Sequence, residues 1–296
     1  MNIASGSAEA AREALEGAGT FDVHLVEPTQ IASTVKQVVR EGAPRVLVAG
    51  GDGTIATAAA ALVDTPAELA VLPGGTLNHF ARALGISTVA AEALLLASQP
   101  VCRGVDVGMV NGHIFLNTSS VGAYVRFVKV REALEPRFGY RIASAIAAFR
   151  LLFTLRLAAV ELDVGGERRI YRTPLVFIGV GERELQLPQL GNRVANGKRG
   201  LHVMVVRGRS RARLLALALA AVARGVKAAS HMPQFDSFIV DHCTITVNKP
   251  RTVIAVDGEL VTLEMPLRYE LRRDALTVVC PPADSAVADQ SKAILR

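Results

Sequence analysis

Residues 45–86 read RVLVAGGDGTIATAAAALVDTPAELAVLPGGTLNHFARALGI. The stretch holds one unit twice: apolar strand, glycine loop, helix. Val46–Ala49 is a short apolar run with β-branched residues, Gly50-Gly51-Asp52-Gly53-Thr54 follows at once, and Ile55–Leu62 is alanine-rich and helix-prone. Leu69–Leu72 opens the second copy, with Pro73-Gly74-Gly75-Thr76 as its loop and a helix from Asn78 through Ala83. Glycines between a buried strand and a helix let the backbone turn sharply and approach a ligand closely. Free N–H groups at the helix start then face an anion. Two such loops side by side predict a phosphate cradle, with backbone donors at Gly50, Gly51, Gly53 and Gly75 and hydroxyls at Thr54 and Thr76. Asp52 only accepts when ionised, so it repels phosphate unless Mg²⁺ lies between them. A metal-coupled role is one reading of Asp52; a turn-stabilising Asx residue is the other.

Working outward, Ala8–Glu16 has a helical composition, Phe21–Val26 alternates as a strand does, and Ile31–Arg40 sets Ile31, Val35, Val38 and Val39 on one helical side. With the two loop units this gives β-α-β-α-β, hence an α/β domain over residues 1–101 with a parallel sheet covered on both faces. From Cys102 the texture becomes strand-rich. Gly104–Met109 and His113–Thr118 form a hairpin about Asn111-Gly112, a type I′ turn signal. Helices follow at Val125–Leu134 and Tyr140–Leu157, then strands recur from Ala159 to Val279, interrupted by one helix at Arg211–Lys227. The expectation is a mainly antiparallel β-sandwich domain over residues 102–283, with a polar tail at 284–296.

With 50% hydrophobic residues among 296 and no tryptophan, the cores must be aliphatic. Cys102, Cys243 and Cys280 are scattered, without CxxC or metal-ligand spacing, which fits a reducing cytoplasm rather than a disulfide framework. No secretory signal opens the chain, and no apolar run reaches the roughly 18–20 residues of a spanning helix. The net charge of +6 is unevenly distributed: residues 1–100 carry 5 Lys/Arg against 10 Asp/Glu, and residues 101–296 carry 28 against 17. Arg207, Arg209, Arg211 and Arg213 precede the apolar run Leu214–Ala223, which is either a solvated face or a patch for anionic lipid. No aromatic-interleaved basic stripe or zinc-finger spacing points to nucleic acid, so none is expected as a partner.

GGDGT at Gly50–Thr54, PGGTLNHFAR at Pro73–Arg82 and DGE at Asp257–Glu259, in that order, resemble the diacylglycerol kinase catalytic domain family. That family includes bacterial soluble lipid kinases and sphingosine kinases. Asn2-Ile3-Ala4-Ser5-Gly6 resembles the family's opening loop, which places Asn2, Ser5 and Gly6 beside the nucleotide phosphates. The resemblance implies ATP and Mg²⁺ as cofactors, with Asn78 and Arg82 in the nucleotide site, Asp52 and Asp106 at the metal, and Glu259 as the base that accepts the lipid hydroxyl's proton. Where the family pattern has an acid after the asparagine, this chain has His79. The implied reaction is ATP-dependent phosphorylation of a lipid hydroxyl, diacylglycerol first among acceptors, by a cytoplasmic protein peripherally associated with an anionic membrane surface. Association into a homodimer stays open. An NAD kinase-type phosphotransferase, which shares GGDGT, and a non-catalytic nucleotide-binding regulator are the alternatives.

Overall fold

The computed structural model describes residues 21–154, 157–184, 192–194, 196–206 and 235–282. The expected Asn2–Gly6 loop, the Ala8–Glu16 and Arg211–Lys227 helices and the arginine cluster at 207–213 lie outside these. The chain divides into two compact units, Met1–Val107 with Arg272–Arg296, and Gly108–Leu271.

In the first unit, β1 (Arg45–Gly50) and β2 (Glu68–Pro73) run parallel and in register from Arg45↔Glu68 to Gly50↔Pro73. Helix α2 (Asp52–Leu62) connects them, with Ile55, Ala58, Ala59 and Leu62 buried. Strand β2 is buried on both faces from Leu69 onward, as an all-apolar strand in a parallel sheet should be. Helix α1 (Ile31–Arg40) buries Ile31 and Val35, two residues of the expected apolar side. Of the expected Phe21–Val26 strand only Val26 makes a bridge. Helix α3 (His79–Ala83) follows the second loop. Helix α4 (Ala90–Ala97) then packs Ala97 and Leu96 against Ala70, Leu47 and Val279. Arg45 fastens that packing: its guanidinium meets Glu68 at 2.6 Å and donates to the Gln99 carbonyl at 2.9 Å.

The other parallel neighbour of β2 comes from the far end of the chain. Strand β14 (Leu267–Val279) sets Val278 beside Leu69 of β2, parallel to it. This differs from a boundary near 101 and a second domain running to 283. The 13-residue β14 is continuous, and its last part belongs to the first unit.

The second unit is built from antiparallel strands. Strand β3 (Cys102–Val110) enters it and turns at Asn111-Gly112 into β4 (His113–Phe115), with Val110 opposite His113. Both turn residues have positive φ, 45° and 84°, as a type I′ turn requires. One sheet orders β10 (Phe235–Val240), β9 (Leu201–Val206), β8 (Leu175–Val180), β5 (Thr118–Gly122), β12 (Arg251–Val256) and β13 (Glu259–Glu264). The second sheet sets β7 (Glu167–Thr173), β6 (Ala158–Val164), β11 (His242–Val247) and the start of β14 side by side. Their inner faces share one aliphatic core: Val160, Leu162, Ile245 and Leu267 from one sheet, Ile178, Val203 and Ile254 from the other. That is the expected sandwich. Strand β14 shows the period of two plainly, with Leu267, Tyr269 and Leu271 buried and Arg268 and Glu270 exposed.

Helix α5 (Ala123–Thr154) is two helices joined at Gly139, whose φ of 72° and ψ of 164° are not helical. Its first part packs Val125 and Val128 against Ala255, with Tyr124, Phe127, Val253 and Leu260 around them. Among the described residues, no helix is long and apolar enough to cross a membrane.

Candidate functional site

The first unit brings the two glycine loops into backbone contact. The Gly74 N–H donates to the Gly50 carbonyl at 2.8 Å. A Cβ at Gly75 would lie 2.8 Å from the Gly51 Cα, so the second loop can approach the first only as glycine. Gly51 precedes α2 in an extended conformation, and no side chain caps the helix start. The first-turn N–H groups over Asp52–Thr54 therefore point out of the loop toward an incoming anion, reinforced by the helix dipole.

Asn78 sits in the left-handed region with φ 51° and is buried. Its amide closes the second loop on itself: Oδ1 accepts from the Gly75 N–H and Nδ2 donates to the Gly75 carbonyl, each at 2.9 Å. The Gly75 N–H expected to face phosphate is thus engaged by Asn78, because a buried amide needs both partners. Gly75 contributes by leaving space, and Asn78 by holding the loop. Asp52 Oδ1 accepts from the Phe80 N–H at 3.3 Å, which ties the start of α3 to the first loop. Thr76, His79 and Arg82 are exposed.

For Mg²⁺, one carboxylate together with nucleotide phosphates suffices. Asp52 fits that role, since Oδ1 holds the Phe80 amide and Oδ2 takes part in no hydrogen bond among the described residues. Asp106 is placed differently. It is buried in β3, and its Oδ1 accepts from the Asp274 N–H at 3.0 Å, bracing β14. An Arg82–Asp106 ion pair is not among those of the described residues. Nor do three or more His, Cys, Asp or Glu side chains gather there as a ready cation site.

In the second unit, Asp257 and Gly258 form the tight turn between β12 and β13, with φ 47° and 90° and Val256 opposite Glu259. Glu259 emerges exposed at the start of β13. The Asp257 carboxylate turns inward and accepts three backbone N–H groups, from Leu116 at 2.7 Å and from Asn117 and Thr118 at 2.9 Å. Its own N–H donates to the Thr118 carbonyl at 2.8 Å. Burial pushes this carboxyl above its usual range, and the three N–H groups and the Arg183 charge oppose that.

Arg183 is itself buried and donates through Nη2 to the carbonyls of Asn117 and Val180, both at 2.7 Å. Burial lowers its pKa to about 10, with the neighbouring charge of Arg193 acting the same way. The Arg183 N–H donates to His202 Nδ1 at 2.9 Å, so the neutral ring carries its proton on Nε2 and donates to Ser237 Oγ at 2.6 Å. Arg183, His202 and the anchoring use of Asp257 escape a reading of the sequence. The local sign is a charged pair, Glu182-Arg183, directly after the apolar run Leu175–Gly181.

Residues 2–110 match the model of the diacylglycerol kinase catalytic domain, so the resemblance read from the motifs holds over that stretch. A "probable lipid kinase YegS-like" protein of Pseudomonas fluorescens is 41% identical over 117 residues, 38% of this chain and 39% of that one. The diacylglycerol kinase of Bacillus subtilis is 34% identical over 150 residues, 47% of this chain and 48% of the relative. The chain therefore matches less than half the length of these curated relatives. The solved structure of a diacylglycerol kinase from Bacillus anthracis superposes with TM-score 0.66 at 20% identity, covering 95% of each chain. A second solved chain from that organism reaches 0.73 at 22%, over 95% of this chain and 96% of that one. At such identities the likeness is one of fold.

Proposed function

We propose that this protein is a lipid kinase that transfers the γ-phosphoryl group of ATP to a lipid hydroxyl, with diacylglycerol as acceptor. The observation that carries this is the pair of glycine loops in backbone contact at Gly51 and Gly75, beside a helix start with no side-chain cap. The names of the relatives that match the same stretch support a lipid as acceptor.

In this reading the N–H groups after Gly51 take the nucleotide phosphates, and Thr54 adds a hydroxyl. Asn78 keeps the second loop shut against the first, and Asp52 is the residue that would hold Mg²⁺. The ion, when bound, spreads the charge that builds on the phosphate oxygens. The lipid hydroxyl oxygen forms a bond to the γ-phosphorus while the bond from that phosphorus to the β–γ bridging oxygen breaks. ADP leaves with that electron pair, and the Glu259 carboxylate accepts the hydroxyl proton. Asp257 acts behind it, fixing the turn from which Glu259 emerges.

The test is transfer of label from γ-labelled ATP, with Mg²⁺, onto mixed micelles of diacylglycerol, monoacylglycerol, ceramide, sphingosine or phosphatidylglycerol. Label is expected in diacylglycerol, and Glu259→Gln is expected to remove it while MgATP still binds. Label in NAD instead would replace this reading with the NAD kinase one. ATP bound without transfer to any acceptor would leave a nucleotide-binding regulator.

A further inference from the structure

The peptide joining Asn117 to Thr118 lies between an inward-turned carboxylate and a buried guanidinium. On one side its N–H, that of Thr118, donates to Asp257 Oδ1 at 2.9 Å. On the other its carbonyl, that of Asn117, accepts from Arg183 Nη2 at 2.7 Å. The positive end of the peptide dipole thus faces the carboxylate and the negative end faces the guanidinium, so each contact strengthens the other. A buried guanidinium is costly unless it is hydrogen-bonded and sits near an opposite charge. The carbonyls of Asn117 and Val180 meet the first need and Asp257 the second.

The second unit is shaped around this arginine. A Cβ at Gly179 of β8 would lie 2.6 Å from Arg183 Cγ and 2.8 Å from its Nε, so the side chain crosses a strand position that glycine leaves open. The backbone of Arg183 is fixed as well, by its N–H bond to His202 Nδ1 of β9. Burial and then the charge of Arg193 disfavour the protonated guanidinium, and the Asp257 carboxylate favours it. Glu182, whose carboxylate accepts from the Lys198 N–H at 2.8 Å, acts on His202. All these residues belong to one unit, as does Glu259.

We propose that Arg183 is a positioning residue for Glu259: it holds the Asn117–Thr118 peptide against Asp257 and so fixes the tight turn from which the Glu259 carboxylate emerges. Arg183 acts through that peptide and Asp257, not by contact with the acceptor. This rests on the lipid-kinase reading with Glu259 as base, to which it adds the residue that keeps the base in place. The same charge helps to keep Asp257 ionised. Burial favours the neutral carboxyl, and the three N–H groups and Arg183 favour the carboxylate. Without Arg183 the carboxyl takes up a proton at higher pH, and a protonated carboxyl no longer accepts all three N–H groups.

The experiment compares wild type with Arg183→Met, Arg183→Lys and Gly179→Ala in steady-state transfer to diacylglycerol micelles, together with amide hydrogen exchange over residues 116–118 and 257–260. In Arg183→Met kcat should fall about hundredfold, as for a base misplaced by about an ångström, while KM for MgATP stays within about twofold of wild type. Its kcat profile should lose activity at higher pH on the acid side, since the ionised form of Asp257 is lost sooner as pH falls. Arg183→Lys, which keeps the charge but not the fork, should recover about tenfold of the loss. Gly179→Ala keeps the arginine and displaces it, so it should lower kcat and speed exchange at the same amides. In an Asp257→Asn background, Arg183→Met should cost less than about threefold more, because both act on one turn. Wild-type kcat and pH profile in a folded Arg183→Met or Gly179→Ala variant would overturn the proposal. So would losses of kcat no larger than the loss of folded protein. No transfer by wild type to any acceptor would count against the kinase reading. The exchange arm then decides the positioning by itself: faster exchange at 116–118 and 259 in the variants supports it, and unchanged exchange overturns it.

Discussion

Gly75 has no room for a side chain, because its Cβ would sit 2.8 Å from the backbone of Gly51. Such overpacking costs about 1–3 kcal/mol, so Gly75→Ala is expected to weaken MgATP binding about tenfold in calorimetric titration while the far-UV spectrum stays unchanged. Unaltered affinity would show that the loops need not touch. The glycines were legible because the chemistry they serve is local: turn, close approach and helix start fall within a few residues. Asp257 was not. Its three donors lie 139 to 141 residues earlier in the chain, and nothing beside it in the sequence hints at them. Asp257→Asn keeps one acceptor oxygen and loses the charge-assisted bonds. A loss of about 2–3 kcal/mol in urea unfolding is expected, with kcat falling although Glu259 is untouched. Wild-type kcat in a destabilised variant would reduce Asp257 to a purely structural part.

At the scale of elements, the sequence marks what is contiguous and leaves dark what is paired across it. The Asn111-Gly112 turn and the break between the halves of α5 follow from local signals. A second role of Asn111 does not: its side chain bridges the β13–β14 connection, donating to the Glu264 carbonyl at 2.9 Å and accepting from the Arg268 N–H at 2.7 Å. His202 is a similar link, from β9 to the Arg183 amide on one side and Ser237 of β10 on the other. Burial holds its pKa below the ordinary 6.5, with the Arg183 charge adding to this and Glu182 opposing it. Below 6.5 the unfolded chain takes up a proton that the native ring refuses. The contribution of His202 is therefore complete above that value and lost as pH falls toward the native pKa. Urea midpoints should drop between about pH 7.5 and 5.5 in wild type, and drop less in His202→Asn, which keeps an acceptor for Arg183 but cannot titrate. Parallel losses in the two proteins would remove His202 from the acid response.

For the whole molecule, the α/β and β-sandwich parts were both readable, one from its doubled loop unit and the other from its succession of short strands. The membership of the last strand was not, because Val278 pairs with Leu69 across most of the chain and a strand's partner leaves no mark on its own sequence. Strands β3 and β14 each run from one unit into the other. A chain ended at Leu271 should therefore lose MgATP binding and become protease-sensitive in its first 107 residues. Retained binding would mean that β1 and β2 stand without β14.

The same strand sets an order of events during synthesis. Domains near the N-terminus ordinarily fold first as they leave the ribosome. Here the sheet that carries the glycine loops begins with the early residues and closes only when Arg272–Val279 emerge, after the whole of Gly108–Leu271 has been made. Until then β2 shows an open edge, the kind that recruits stray strands. In a growing chain the unit translated first is the one completed last, and a chaperone or a pause in translation would act on that waiting edge.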